Sequence, residues 1–282
     1  MAVDLIGDDP EKAVPIRIYP AEFTVILGPS GCGKSSLLRI VGGLVKPTRG
    51  KALKDGKEIT GPGKDRGMVF QTYTSFPWLN VEENVLFSLQ MDKEARSGQS
   101  AGGKSQGERV QQILELVGLA DSRKKFPKEL SGGMKQRVAI ARTLINGPDV
   151  LLMDEPFGAL DPHIRLKMQE LMLKIEDELK TTILFVTHDA REAVFLGDTI
   201  YLSTLCPCFL KSRLDHPFVK EEIPRVAAKK EYAGDFLQFQ HQVEEKMQSL
   251  IETKDIDRVI KPEDWKPFRR STLGMIQEFD KE

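Results

Sequence analysis

The sequence predicts an α/β protein built around a parallel sheet, and three observations carry that prediction. A β-branched, apolar run, Phe23–Leu27, leads into Gly28-Pro-Ser-Gly-Cys-Gly-Lys-Ser-Ser36 and then into Leu37-Leu-Arg-Ile-Val41, whose spacing suits a helix. Two later runs, Val150–Met153 and Thr181–Val186, read as strands covered on both faces. They end in Asp154-Glu155 and Thr187-His188, polar residues at the carboxyl ends where open α/β sheets gather their ligands.

Composition bounds what such a sheet can serve. With 282 residues the chain can bury a substantial core. Lys and Arg total 41 against 42 for Asp and Glu, so no global field favours nucleic acid or an anionic membrane. Three cysteines, Cys32 in the glycine loop and the pair in Cys206-Pro-Cys208, make no disulfide framework, and the Cys-x-Cys pair, which could bind metal, has no two further ligands at metal spacing. No basic-then-apolar leader is present, and no apolar run approaches the ~18 residues needed to cross a bilayer. The expectation is a soluble, cytosolic protein.

Residues 1–15 are acidic, Pro-containing and aperiodic, and are expected to be poorly ordered. Ile16–Tyr19 alternates like a short strand and Pro20-Ala-Glu22 turns into the strand Phe23–Leu27. In the loop that follows, Gly28, Gly31 and Gly33 let successive N–H groups converge on phosphate oxygens, with a helix dipole behind them. Lys34 is placed to reach the outer phosphates and Ser35 to ligate Mg²⁺. After Lys46–Gly50 and the turn Gly61-Pro-Gly63, Arg66–Phe70 reads as another buried strand. Gln71 stands at its end, where its amide oxygen could approach a metal or an attacking water.

The segment Thr72–Asn84 is aromatic and Pro-broken, and Asn80 with Glu83 forms a capping-box pattern. Such a loop could dock another protein or pack on its own domain. Lys93–Glu108 reads as a polar solvent loop and Val110–Leu119 as a helix. Ser131 then caps a long amphipathic helix through Gly132 and Gly133, a second helix start suited to an anion. Two carboxylates closing a buried strand need a use. Asp154 is placed to hold Mg²⁺, and Glu155 to deprotonate a water aimed at a γ-phosphate. Pro156 biases Glu155 towards extended backbone. Asp161 leads into a helix with Pro162 near its first turn, and His188 is placed for a γ-phosphate contact. Thr199–Leu202 completes the sheet. Phe236, Phe239, Val243, Met247 and Leu250 mark an amphipathic helix expected to pack on its own chain. No function is assigned to residues 254–282.

Taken in order, Gly28 to Ser35, Gln71, Leu130 to Gln136, Asp154-Glu155, Asp161 and His188 resemble the motifs of ATP-binding cassette (ABC) ATPases, over about residues 16–202. The resemblance implies a P-loop NTPase (RecA-like) core sheet with an inserted α-helical subdomain near 76–147, within a domain of residues 16–210, and a partly helical extension at 211–282. It implies ATP and Mg²⁺ as cofactors and a head-to-tail homodimer with two ATP molecules in its interface. Each ATP would be held by Gly28, Pro29, Ser30, Gly31, Cys32, Gly33, Lys34, Ser35 and Ser36 of one protomer and by Ser131, Gly132 and Gly133 of the other. The implied catalytic residues are Glu155, His188 and Gln71, the metal-binding ones Ser35, Gln71 and Asp154, and Asp161 belongs to the dimer interface.

Gly61-Pro-Gly63 through Asp65-Arg-Gly67 to Phe70-Gln71, the segment Phe76-Pro-Trp-Leu79, and Met134 resemble the nitrate, sulfonate and taurine importer subgroup. That implies a transmembrane permease docked near Gln71–Asn84, a solute-binding protein acting indirectly, no nucleic acid, and a peripheral place on the inner face of the cell membrane. A soluble, nontransport ABC ATPase that remodels a complex is the alternative. A small-molecule phosphotransferase would leave Ser131-Gly-Gly without a task. In one respect the sequence departs from the family, which carries an adenine-stacking aromatic on a strand well upstream of the loop. Here Tyr19 lies only nine residues before Gly28.

Overall fold

The computed structural model describes residues 3–6, 16–72, 74–91, 105–203, 210–215 and 233–252. Strands β1 (Val3–Ile6), β2 (Ile16–Ile18), β3 (Phe23–Leu27), β4 (Lys51–Lys54), β5 (Lys57–Glu58), β6 (Arg66–Val69), β7 (Val150–Asp154), β8 (Thr182–Thr187), β9 (Thr199–Ser203) and β10 (Leu210–Asp215) form two sheets. The larger has the order β10-β9-β3-β8-β7-β6, parallel except for β10. The smaller is antiparallel, in the order β2-β1-β4-β5.

Period-two alternation in the central strands divides the core between the two faces of the sheet. Val25, Leu151, Ile183 and Ile200 belong to one apolar cluster, and their neighbours Ile26, Leu152, Leu184 and Tyr201 to the other. Helix α1 (Lys34–Val41) and strand β2 cover the second face through Leu38, Val41, Ile16 and Ile18. The buried Tyr201 hydroxyl accepts from Arg17 N–H and donates to its carbonyl, both at 3.1 Å, which ties the small sheet to the large one. Every strand of the large sheet's interior is thus sandwiched, which is why those strands read as unbroken apolar runs.

The other face is covered by helices. Between β6 and β7 the chain builds α2 (Val81–Gln90), α3 (Gln106–Leu116) and α4 (Gly132–Leu144). Helices α5 (Pro162–Leu179), α6 (Ala190–Leu196) and α7 (Ala233–Glu252) follow. Asn80 and Glu83 make the expected capping box on α2, and Ser131 caps α4 by accepting from Met134 N–H. On α7, Phe239 and Val243 are buried in the core and Met247 packs against it.

Three expectations are corrected. Residues 3–6 of the stretch expected to be poorly ordered form β1, because Val3-Asp-Leu5 supplies a ladder between β2 and β4 that periodicity over so short a run does not reveal. The rest of 1–15 lies outside the described residues, as do Cys206, Cys208 and all of 93–104. Glu108 belongs to α3 rather than to a loop: its carboxylate accepts from Ser105 N–H and its own N–H bonds Ser105 Oγ, a second capping box. The core sheet also runs past residue 210, since β10 adds an edge strand whose polar side chains hide it from pattern reading.

A charged staple fixes β4 to the large sheet. Lys54 Nζ contacts Asp65, at the entry to β6, and donates to Asp149, at the entry to β7, at 3.0 Å. Burial pushes the Asp65 carboxyl up, but the Lys54 hydrogen bond and the Arg66 and Lys54 charges outweigh it and hold the group below its ordinary 3.8. A depressed carboxylate stabilises the fold above the unfolded pKa and loses that contribution as pH falls through the folded value. Asp65→Asn should therefore cost on the order of 1 kcal/mol at neutral pH, with the difference from wild type shrinking below about pH 4. Urea unfolding at a series of pH values tests this, and a difference that persists in acid contradicts it.

Candidate nucleotide-binding site

The site is built where β3, β7 and β8 end side by side. Gly28 N–H continues the β3 ladder to the Thr187 carbonyl at 3.3 Å, and the loop then turns over the end of β9. A Cβ at Gly28 would stand 1.8 Å from Ser203 Oγ and 3.1 Å from its Cβ, so a larger residue there has to displace the Ser203 side chain. Gly31 and Gly33 have φ of 79° and 113°, backbone conformations that glycine adopts without strain. Gly33 caps α1 with no side chain, leaving the first-turn N–H groups turned towards an acceptor such as a phosphate. Cys32 is buried, with its Sγ 3.3 Å from Ser203 Oγ.

Lys34 is 3 % exposed and folds back into the loop, donating to the Gly28 and Pro29 carbonyls at 2.8 and 2.7 Å. Its Nζ is 3.7 Å from Glu155 Oε1. Ser35 Oγ donates to Asp154 Oδ1 at 2.7 Å, and Asp154 is itself buried. His188 Nδ1 lies 2.9 Å from Glu155 Oε2, with the imidazole half exposed and the carboxylate mostly covered. The register of β7 against β8 pairs Asp154 with Val186, which sets Glu155 and His188 just past the ends of adjacent strands. Five sequence-predicted residues, Lys34, Ser35, Asp154, Glu155 and His188, thus meet in one place.

Glu155 does not take the extended backbone that Pro156 favours. Its φ is 42°, in the left-handed region, at a cost of order 1–3 kcal/mol for a residue with a Cβ. The bond from Glu155 N–H to the Val186 carbonyl, with the contacts to Lys34 and His188, overdetermines that conformation.

The remaining predicted residues lie elsewhere on the same framework. Gln71 is exposed two positions past β6, level with Glu155 if the pairing of Val69 with Met153 is continued. Ser131 is exposed at the start of α4, while Gly133 is buried against α5, where a Cβ would come 2.5 Å from Ile164 Cγ2. Asp161 is exposed and caps α5 by accepting from Ile164 N–H at 3.0 Å. No hydrogen bond joins Ser131 or Asp161 to the glycine loop among the described residues. Ser203 and Arg165 escape sequence reasoning: nothing near either marks it, and only the fold brings Ser203 to the loop and Arg165 to the residues beside His188.

The oxygens of Ser35 and Asp154 are hard donors and fit Mg²⁺, which takes few protein ligands and completes its shell with phosphate and water. Among the described residues no group of three His, Cys, Asp or Glu is placed to hold a metal ion.

A parallel sheet whose strand ends carry a glycine loop, a lysine, a hydroxyl and two acids defines a P-loop nucleotide-binding ATPase. The ABC transporter family profile matches residues 12–158, and the chain belongs to that family. It is 45 % identical over 203 residues to the nitrate import ATP-binding protein NrtD of Synechocystis sp., covering 72 % of this chain and 74 % of that one. It is 45 % identical over 210 residues to the taurine import ATP-binding protein TauB of Jannaschia sp., covering 74 % and 76 %. With the aliphatic sulfonates import ATP-binding protein SsuB of Bacillus cereus the identity is 44 % over 195 residues, covering 69 % and 73 %. Among solved structures, a dimeric post-hydrolysis state of an ATP-binding cassette bound to ADP and Pi superposes with a TM-score of 0.63 at 32 % identity, covering 77 % of this chain and all of the other.

Proposed function

We propose that this chain is the ATP-hydrolysing subunit of an ABC importer for nitrate, a sulfonate, taurine or a related small solute. The observation that carries the ATPase role is the meeting of Lys34, Ser35, Asp154, Glu155 and His188 at adjoining strand ends. The relatives named for import support the transport role.

In this reading the N–H groups of Gly28 to Ser36 cradle the triphosphate of ATP, and Lys34 leaves the Gly28 and Pro29 carbonyls for the phosphates. Ser35 and Asp154, with Gln71, are the residues that would hold Mg²⁺, which neutralises phosphate charge when bound. Glu155 takes the proton of the attacking water, and His188 orients that carboxylate and contacts the γ-phosphate. Ser131, Gly132 and Gly133 act on ATP held by a second copy of the chain, and Asp161 lines the same interface. The dimeric solved relative supports that assembly. We place the nucleotide-binding domain at about residues 16–210, with the inserted helical subdomain near 76–147; β1 and β10 extend its two sheets.

No helix among the described residues is long and apolar enough to cross a membrane. In this reading a separate permease carries the solute. The subunit then sits at the inner face of the cell membrane, with the permease against the loop before α2. Phe76 is anchored there: its N–H and carbonyl bond the Asn84 side chain, and its ring packs on Phe87 and under the Arg142 guanidinium. Trp78, by contrast, is 70 % exposed, and among the described aromatics its ring meets that of Phe76. The loop thus divides between packing and docking, and exposed aromatics are frequent interface anchors.

The experiment asks whether an importer permease of the same organism copurifies with this chain, with ATPase measured before and after assembly. Trp78→Ala should keep the basal rate and lose permease binding or permease-dependent stimulation by about tenfold. Wild-type coupling in the variant removes the docking assignment. A wild type that binds no permease and drives no uptake favours the nontransport alternative.

A further inference from the structure

Arg165, on α5, has no part in the roles above, yet it touches both sides of the machinery. Its Nη2 donates to the carbonyl of Leu160, the residue before Asp161, at 3.3 Å. Its Nη1 donates to Oδ2 of Asp189, the residue after His188, at 3.2 Å. Its Nε lies 3.6 Å from Oε1 of Glu192, which is 4 % exposed. The second oxygen of Glu192 accepts from Thr187 Oγ1 at 2.6 Å, and that hydroxyl accepts from Asp189 N–H at 3.0 Å. Both neighbours of His188 are therefore held by one network centred on a single guanidinium, and His188 in turn holds the Glu155 carboxylate.

We propose that Arg165 is a positioning residue for ATP hydrolysis, transmitting the placement of Leu160-Asp161 to His188 and through it to Glu155. The planar fork of arginine donates to Asp189 and Leu160 in fixed directions while its charge faces Glu192, a combination that a lysine cannot span at once. Burial pushes the Glu192 carboxyl up, opposed first by the Thr187 hydrogen bond and then by the Arg165 charge. Movement of Asp161 on partner docking would pull on Arg165 and shift the imidazole. A misplacement of about 1 Å at a reacting group can cost about 10²-fold in rate. The proposal rests on the roles given above to Glu155 and His188, and not on transport.

The test is ATP hydrolysis by the purified full chain, in steady state and in single turnover with protein in excess. Arg165→Ala should lower kcat about tenfold while KM changes less than about twofold, with Arg165→Lys in between. Asp189→Asn, which keeps the helix cap made to Arg191 N–H, should act in the same direction. In a His188→Ala background both substitutions should cost nothing further, because positioning a residue that is absent has no effect. A Glu155→Gln background should still dimerise on ATP with Arg165→Ala. The proposal is overturned by a kcat within about twofold of wild type, by undiminished cost in the His188→Ala background, or by KM rising in step with the loss. Should Arg165→Ala not fold, Asp189→Asn carries the same cycle. Retained turnover in Glu155→Gln alone would instead sink the roles on which the proposal rests.

Discussion

Glu155→Gln is expected to bind ATP as wild type does and to lose turnover by about 10²–10⁴-fold, the usual contribution of a general base. The amide keeps the size of the side chain, and the backbone that holds it, bonded to the Val186 carbonyl, is untouched. What disappears is the group able to accept a proton from water, together with the charge that faces Lys34 at 3.7 Å. Lys34→Ala should differ in kind. It removes the cation meant for the outer phosphates, so affinity for a nonhydrolysable analogue should fall. Titration with that analogue separates the two defects, and steady-state turnover of Glu155→Gln within about twofold of wild type rules out Glu155 as the base.

A mixture of two inactive variants is expected to recover activity if each site is shared between protomers. The second partner must damage the signature stretch without damaging the fold, and Gly133 is a poor choice because any Cβ there meets Ile164. Ser131 is exposed and its oxygen caps α4. Ser131→Asp preserves the cap, since Asp serves as well as Ser, while setting a negative charge against the partner's triphosphate. Alone, Lys34→Ala and Ser131→Asp should each be nearly inactive. Mixed in equal amounts and allowed to exchange, half the dimers contain one intact composite site beside one doubly damaged site. Recovery should then approach about a quarter of wild-type activity if sites turn over independently in a two-fold dimer. No recovery, with heterodimers confirmed by differential tags, contradicts turnover at a single shared site.

The sequence by itself determined the order of the large sheet's parallel strands along the chain, the glycine loop, the caps at Asn80 and Ser131, and the acids at the end of β7. These are local: a capping box spans three residues, and an apolar run records burial on both faces wherever it lies. What faces what was decided by tertiary structure alone. Ser35 meets Asp154 across 119 positions and Cys32 meets Ser203 across 171, separations at which no periodicity operates. The crowding at Gly28 comes from Ser203, at the end of a distant strand, and not from its own turn. The backbone of Glu155 follows its bond to β8 and not the preference imposed by Pro156, because three nonlocal contacts outweigh one local bias. Within the aromatic loop the sequence did not separate packed from exposed rings; Asn84 and Arg142 hold Phe76, whereas Trp78 is exposed. Arg165 carries no mark in the sequence, since its significance lies in joining Leu160, Asp189 and Glu192, which only the packing of α5 beside β8 and α6 brings within reach of one side chain.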